Sequence, residues 1–156
     1  MLITSIKTLK VYFQNFAEEQ NIAFVYGPAK KLIAKSKSTP DFKYPLLHLN
    51  RPDVSSSDND MSNYMKSFSC EVVCLQKYSK KGTPDEIDES ELDAEDDTFE
   101  ILMKLEKQMI EDNNDVKIIF SLNTVVTEPV SDTFIDFHSG WKMSFKIDFY
   151  ANSKLQ

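Results

Sequence analysis

The segment FIDFHSGWKMSFKIDFYA, residues 134–151, alternates apolar and polar residues with almost no interruption. Trp141, Met143, Phe145, Ile147 and Phe149 share one parity, and Lys142, Ser144, Lys146, Asp148 and Tyr150 the other. A period of two is the signature of a strand with one buried and one wetted face. Gly140 opens this strand after the turn-like DFHSG, where glycine tolerates positive φ. Trp141 reads either as plain core or as an anchor at an interface, where Trp is enriched.

The rest of the chain supplies material to cover that strand. Leu2, Ile6, Leu9, Phe13 and Phe16 recur at helical spacing, with Ile3 and Ala17 widening the stripe and Asn21 as a stop. The apolar run 22–26 reads as a short strand closed by Gly27-Pro28, and KYPLLHLNRP (43–52) as another. DVSSSDNDMSN reads as a polar loop. In the long strand that follows, Phe68, Cys70, Val72 and Cys74 share a face, and Val73 and Leu75 suggest partial cover on the opposite one. A second helix carries Phe99, Leu102, Leu105 and Met109 inward, flanked by Ile101, Met103 and Ile110. Ser90 and Asp93 resemble a capping box at its start. VKIIFSLNTVV reads as one more strand, with Val116, Ile118, Phe120 and Leu122 on one face. The expected architecture is a single α+β domain over residues 1–156, with an acidic linker at 82–97. Its sheet is mainly antiparallel, of about five strands, with two amphipathic helices packed on one face.

Charge is unevenly placed. The net value is −7, yet residues 85–100 hold ten acids and no base, which leaves +3 on the remainder. Asp85, Glu86, Asp88, Glu89, Glu91 and Asp93 head this run. It fails as an EF-hand, having no Gly at the sixth position and a helix-forming tail. It reads as a solvated face, as a surface aimed at a basic partner, or as a lining that repels passing DNA. Lys30, Lys31, Lys35, Lys37 and Lys43 form a modest basic patch near Tyr26, Phe42 and Tyr44. With Arg51 the sole arginine, that patch suits a solvated face, nonspecific phosphate contact or a subunit interface better than base readout.

No residue set assembles a reactive centre. Cys70 and Cys74 lie four apart on one strand face, about 13 Å between Cα atoms, too far for a disulfide. Free thiols of this kind fit a reducing cytoplasm. His48 sits among apolar neighbours in PLLHLN and reads as a hydrogen-bonded structural residue. His138 lies beside Asp136 and Ser139, but members of a triad converge from separate elements. The chain therefore reads as a non-enzyme with no cofactor and no metal. The N-terminus, broken by Lys7 and Lys10, does not read as a signal peptide, and no apolar run reaches the roughly 18 residues of a membrane span.

FVYG, KYPLLHLNRP, the helix DDTFEILMKLEKQMIED and the closing DFHSGWKMSFKIDFYA, in this order, resemble the tail-terminator or tail-completion proteins of tailed bacteriophages, in the form found in phages and prophages of Bacteroidetes. The similarity spans about residues 22–150, and the acidic linker is a departure from it. The resemblance implies an α+β sandwich that assembles into a homo-oligomeric ring, six-fold or twelve-fold, at the head–tail junction of the virion. Its partners would be other copies of itself, neighbouring neck, connector or portal-side proteins and the tail-tube protein. Genomic DNA would pass through the lumen without sequence-specific binding. The resemblance implies no catalytic residue and no membrane association. The lumen or the interfaces between subunits would then use the acids named above together with Lys30, Lys31, Lys35 and Trp141. The rival expectation is a cytoplasmic adaptor whose acidic run engages a basic partner.

Overall fold

A computed structural model describes residues 2–28, 30–31, 44–56, 65–130 and 138–151. Helix α1 (Ile6–Glu19) starts at a reciprocal cap: Ser5 Oγ accepts from the Thr8 N–H at 3.1 Å, and Thr8 Oγ1 accepts from the Ser5 N–H at 2.9 Å. This is a capping box with Thr in the place usually held by Glu or Gln. The cap leaves Leu2 outside the helix, so Leu2 and Ile6 are exposed and Ile3 enters the core instead. Leu9, Phe13, Phe16 and Ala17 are buried as their spacing predicts. The helix closes at Asn21, whose φ of 55° allows the Ile22 N–H to reach the Ala17 carbonyl at 2.9 Å.

Strands β1 (Ala23–Tyr26), β2 (Leu46–Leu49), β3 (Asp53–Ser56) and β4 (Met65–Lys77) follow. After them come helix α2 (Pro84–Asn114), β5 (Ile119–Phe120), a 3-10 turn at Leu122–Thr124, β6 (Val126–Pro129) and β7 (His138–Tyr150). The α+β class is as expected, but the sheet has seven strands. Their order is β1-β2-β4-β7-β5, with β3 also beside β4 and β6 also beside β7. It is mostly antiparallel, and β1 pairs with β2 in parallel. The spine is β4 against β7, thirteen residue pairs from Met65↔Tyr150 to Lys77↔His138.

Two of the added strands hide in polar or broken sequence. Asp53–Ser56, read as loop, is β3, an edge strand exposed along its whole length. Charged and small polar residues are what an unprotected edge tolerates. The stretch 116–126 is not one strand. Val116 has a φ of 59° and the 3-10 turn splits the rest, so Val116 and Leu122 are exposed instead of sharing a buried face.

The acidic segment 82–97 is not a linker. From Pro84 onward it forms about four turns of α2. Thr83 is the N-cap, its hydroxyl accepting from the Glu86 N–H at 3.3 Å, and Pro84 takes a first-turn place where no N–H is required. Asp85 and Glu86 then sit at the positive end of the helix dipole. Ser90 caps nothing. Its hydroxyl accepts from the Ser79 N–H at 2.8 Å and ties the incoming chain to the helix side.

At its far end α2 closes with a Schellman turn: Lys117 N–H reaches the Asp112 carbonyl at 2.8 Å and Val116 N–H reaches Asn113 at 3.1 Å. Glycine is the usual residue in the left-handed position, and a β-branched Val there is strained. Val116→Gly relieves about 1–2 kcal/mol of backbone strain against about 0.5–1 kcal/mol of added chain entropy. We expect a net gain of about 1 kcal/mol in a urea titration.

Both helices cover one sheet face. Leu9, Phe13 and Phe16 of α1 and Leu102, Leu105 and Met109 of α2 share a core cluster with Phe68, Val72, Phe145 and Ile147 of the sheet. Tyr12 in the middle of α1 meets Asp112 near the end of α2, whereas Gln20–Asn21 just past α1 line a cleft with Asp97 and Lys104. On the opposite sheet face Val25, Leu46, Val73 and Leu75 make a smaller buried cluster with Tyr44 and Val130 against it, as Val73 and Leu75 suggested. The remainder of that face carries the polar residues of β7.

Candidate interaction surfaces

The polar residues most able to do chemistry are committed to structure. Tyr12 Oη donates to Asp112 Oδ2 at 2.6 Å, and Gln108 Nε2 donates to Asp112 Oδ1 at 3.0 Å. Burial, then the Asp112 carboxylate, push the Tyr12 hydroxyl far above the ordinary tyrosine range. These groups line a cleft of about 230 Å³ with Asn15, Glu19 and Lys117. Both Asp112 oxygens accept hydrogen bonds, and the one from Tyr12 ties α1 to α2.

The two histidines are likewise structural. His138 and Ser139 are consecutive in β7 and so face opposite ways. His138 Nε2 lies 2.7 Å from Tyr44 Oη, whereas Ser139 Oγ donates to Glu95 Oε1 at 3.3 Å across the helix-covered face. Asp136, the remaining member of that sequence cluster, lies outside the described residues.

His48 is buried in β2, its Nε2 2.6 Å from the Gly27 carbonyl. A carbonyl only accepts, so Nε2 carries the proton and Nδ1 presents a lone pair, buried and without a partner. Burial lowers the His48 pKa, opposed by the Gly27 hydrogen bond and by Glu71. The sign follows. Above about pH 6.5 the ring is neutral folded and unfolded, and its contribution is fully present. Below that, the unfolded chain takes up the proton first and stability falls. We expect stability to fall as the pH drops below about 6.5, read from urea midpoints. His48→Leu should flatten this slope; an unchanged slope would refute the assignment.

Cys70 and Cys74 are free and buried, as expected, and burial pushes both thiols up to about 12. Among the described residues no group of three or more His, Cys, Asp or Glu gathers in a metal-holding arrangement. No helix there is long and apolar enough to cross a membrane.

What remains are surfaces. Asp85, Glu86, Asp88, Glu89 and Asp93 are exposed, and Glu91 is half-buried, all within the first turns of α2. The first buried residue of α2 is Ala94, so the ten residues before it, about 15 Å of helix, form an arm that carries charge and buries no side chain completely. Trp141 joins this side of the molecule. It is half-buried, its Nε1–H donates to the Glu95 carbonyl at 3.1 Å, and its ring packs on Phe99 with centroids 5.1 Å apart. Trp141 is therefore in part core and in part surface. Phe99, expected inward, stays exposed beside it together with Met103, because Ala94, Thr98, Leu102 and Leu105 define the buried face.

Lys30 and Lys31 are exposed just past β1, from which β2 and β4 separate β7 in the sheet order. Lys35 lies outside the described residues. The signal for the arm was in the sequence: Thr83-Pro84 followed by acids is a helix-start pattern. The exposed side of Phe99 was not legible, since it depends on how the helix rotates over β7. No family model, curated protein or solved structure matches the chain.

Proposed function

We propose that this chain is a structural subunit of a tailed-phage neck, a homo-oligomeric ring that terminates the tail tube or joins it to the portal side. The observation that carries the reading is the arm of α2. Evolution of a core does not require a helix extension that buries no side chain completely and is crowded with carboxylates. Such an arm has a use where many copies face a channel through which DNA slides, because like charge keeps the polyanion from adhering. The exposed edge strand β3 leaves backbone groups that a neighbouring copy can pair with. The same arm also suits an adaptor that binds a basic partner. That rival predicts a monomer and a stoichiometric complex in place of a ring.

The test is location. Gold-labelled antibody against the chain should mark the head–tail junction of virions, and the chain should be detected in purified particles by mass spectrometry. Particles without it, or label elsewhere on the virion, would refute the reading.

A further inference from the structure

We infer that the acidic side of α2 docks on the N-terminal shoulder of α1 in a second copy of the chain, head to tail. The inference rests on the ring reading and specifies its interface. Leu92 projects from the arm at 59% exposure, and its four helical neighbours at i±3 and i±4 are Asp88, Glu89, Glu95 and Asp96. Phe99 and Met103 continue the same stripe at 39% and 51% exposure. An apolar knob within a rim of carboxylates is the form of an interface anchor, with burial at the centre and charge at the edge.

The arm cannot pack on itself across a two-fold axis. That would set the ten acids of residues 85–100 against ten more, with no base among them. Its occupant must be apolar and positive, and the chain carries such a surface. Leu2 and Ile6 are exposed at 59% and 45%, and Lys7 and Lys10 beside them are exposed as well. The shoulder has no acid in the first turn of α1. Tyr12 borders Asp112 at the far end of α2, and it is Gln20–Asn21, past the other end of α1, that border Asp97 and Lys104, so shoulder and arm lie toward opposite ends of the helical layer. One chain therefore cannot satisfy both with itself, whereas successive copies can. A contact between two different faces propagates and closes into a ring if the rotation permits.

The test uses two variants that each keep one face. Leu92→Lys destroys the apolar knob, and the new ammonium sits among four carboxylates, so the helix is not weakened. Lys7→Glu with Lys10→Glu inverts the shoulder, and an acid in the first turn of α1 favours the helix dipole. Thermal melts of both should match the wild type. In sedimentation velocity we expect wild type to assemble and each variant alone to associate at least about thirty-fold more weakly. Mixed together, the two should give a 1:1 heterodimer of 18.0 kDa chains and nothing larger. If wild type forms rings and either variant assembles equally well, this interface is wrong and the ring stands. A mixture that yields no heterodimer also overturns the interface. Wild type that remains monomeric up to about 1 mM overturns both the interface and the ring.

Discussion

Phe13→Ala lowers the unfolding free energy by about 3–5 kcal/mol, the usual cost of emptying a buried aromatic site. Phe13 is fully buried, with its ring edge-on to Tyr12 at 5.2 Å and tilted against Phe145 of β7 at 5.8 Å. It is the point where α1 grips the long strand, flanked by Leu9 and Phe16. A domain of this size has only about 5–15 kcal/mol in total, so the variant should lie near the edge of folding. In urea the midpoint should fall with the slope unchanged. A loss below about 1 kcal/mol would mean that α1 does not seat on β7 as described.

Gly140→Ala should cost about 3 kcal/mol, at the upper end of what overpacking exacts. The reason differs from the one that the sequence suggests. Gly140 looks like a turn residue placed for positive φ, but it is the third residue of β7 and pairs with Leu75. A Cβ there would stand 1.8 Å from the Cys74 carbonyl oxygen and 3.1 Å from the Leu75 Cα. Both neighbours are backbone of the central strand and cannot swing aside. The β4–β7 ladder must open locally to admit even a methyl group. Ser144→Ala, on the wetted side of the same strand, should change stability by less than about 0.5 kcal/mol. Equal behaviour of the two variants would contradict the register.

The sequence was most readable where periodicity and burial agree. β7 shows its inner row Met143, Phe145, Ile147 and Phe149 directly, because one face is buried under α1 and α2, and β4 shows both its faces, because Val73 and Leu75 join a second buried cluster. Leu9, Phe13 and Phe16 were equally plain. Legibility failed at ends and edges. A single cap, Ser5 with Thr8, decides that Ile3 is buried and Leu2 is not. The exposed edge strand β3 has no apolar row to announce it, since its pairing rests on backbone bonds to β4. The acids of α2 masked a helix because their mutual repulsion is outweighed by Thr83-Pro84 at one end and by packing from Ala94 onward at the other. As for the interaction surfaces, the charge of the arm was visible in the sequence. The apolar stripe of Leu92, Phe99 and Met103 within it emerged only once the buried face of α2 was known.

The two readings of function share one physical proposition. Tyr12, Asp112, His48, His138 and Ser139 are engaged within the fold, and a charged arm, an apolar stripe and a basic shoulder are exposed. Electron microscopy of the purified protein tests the ring reading most directly. Closed rings of six or twelve copies with a central channel are the predicted result. A population of single 18.0 kDa chains at every concentration examined would contradict it.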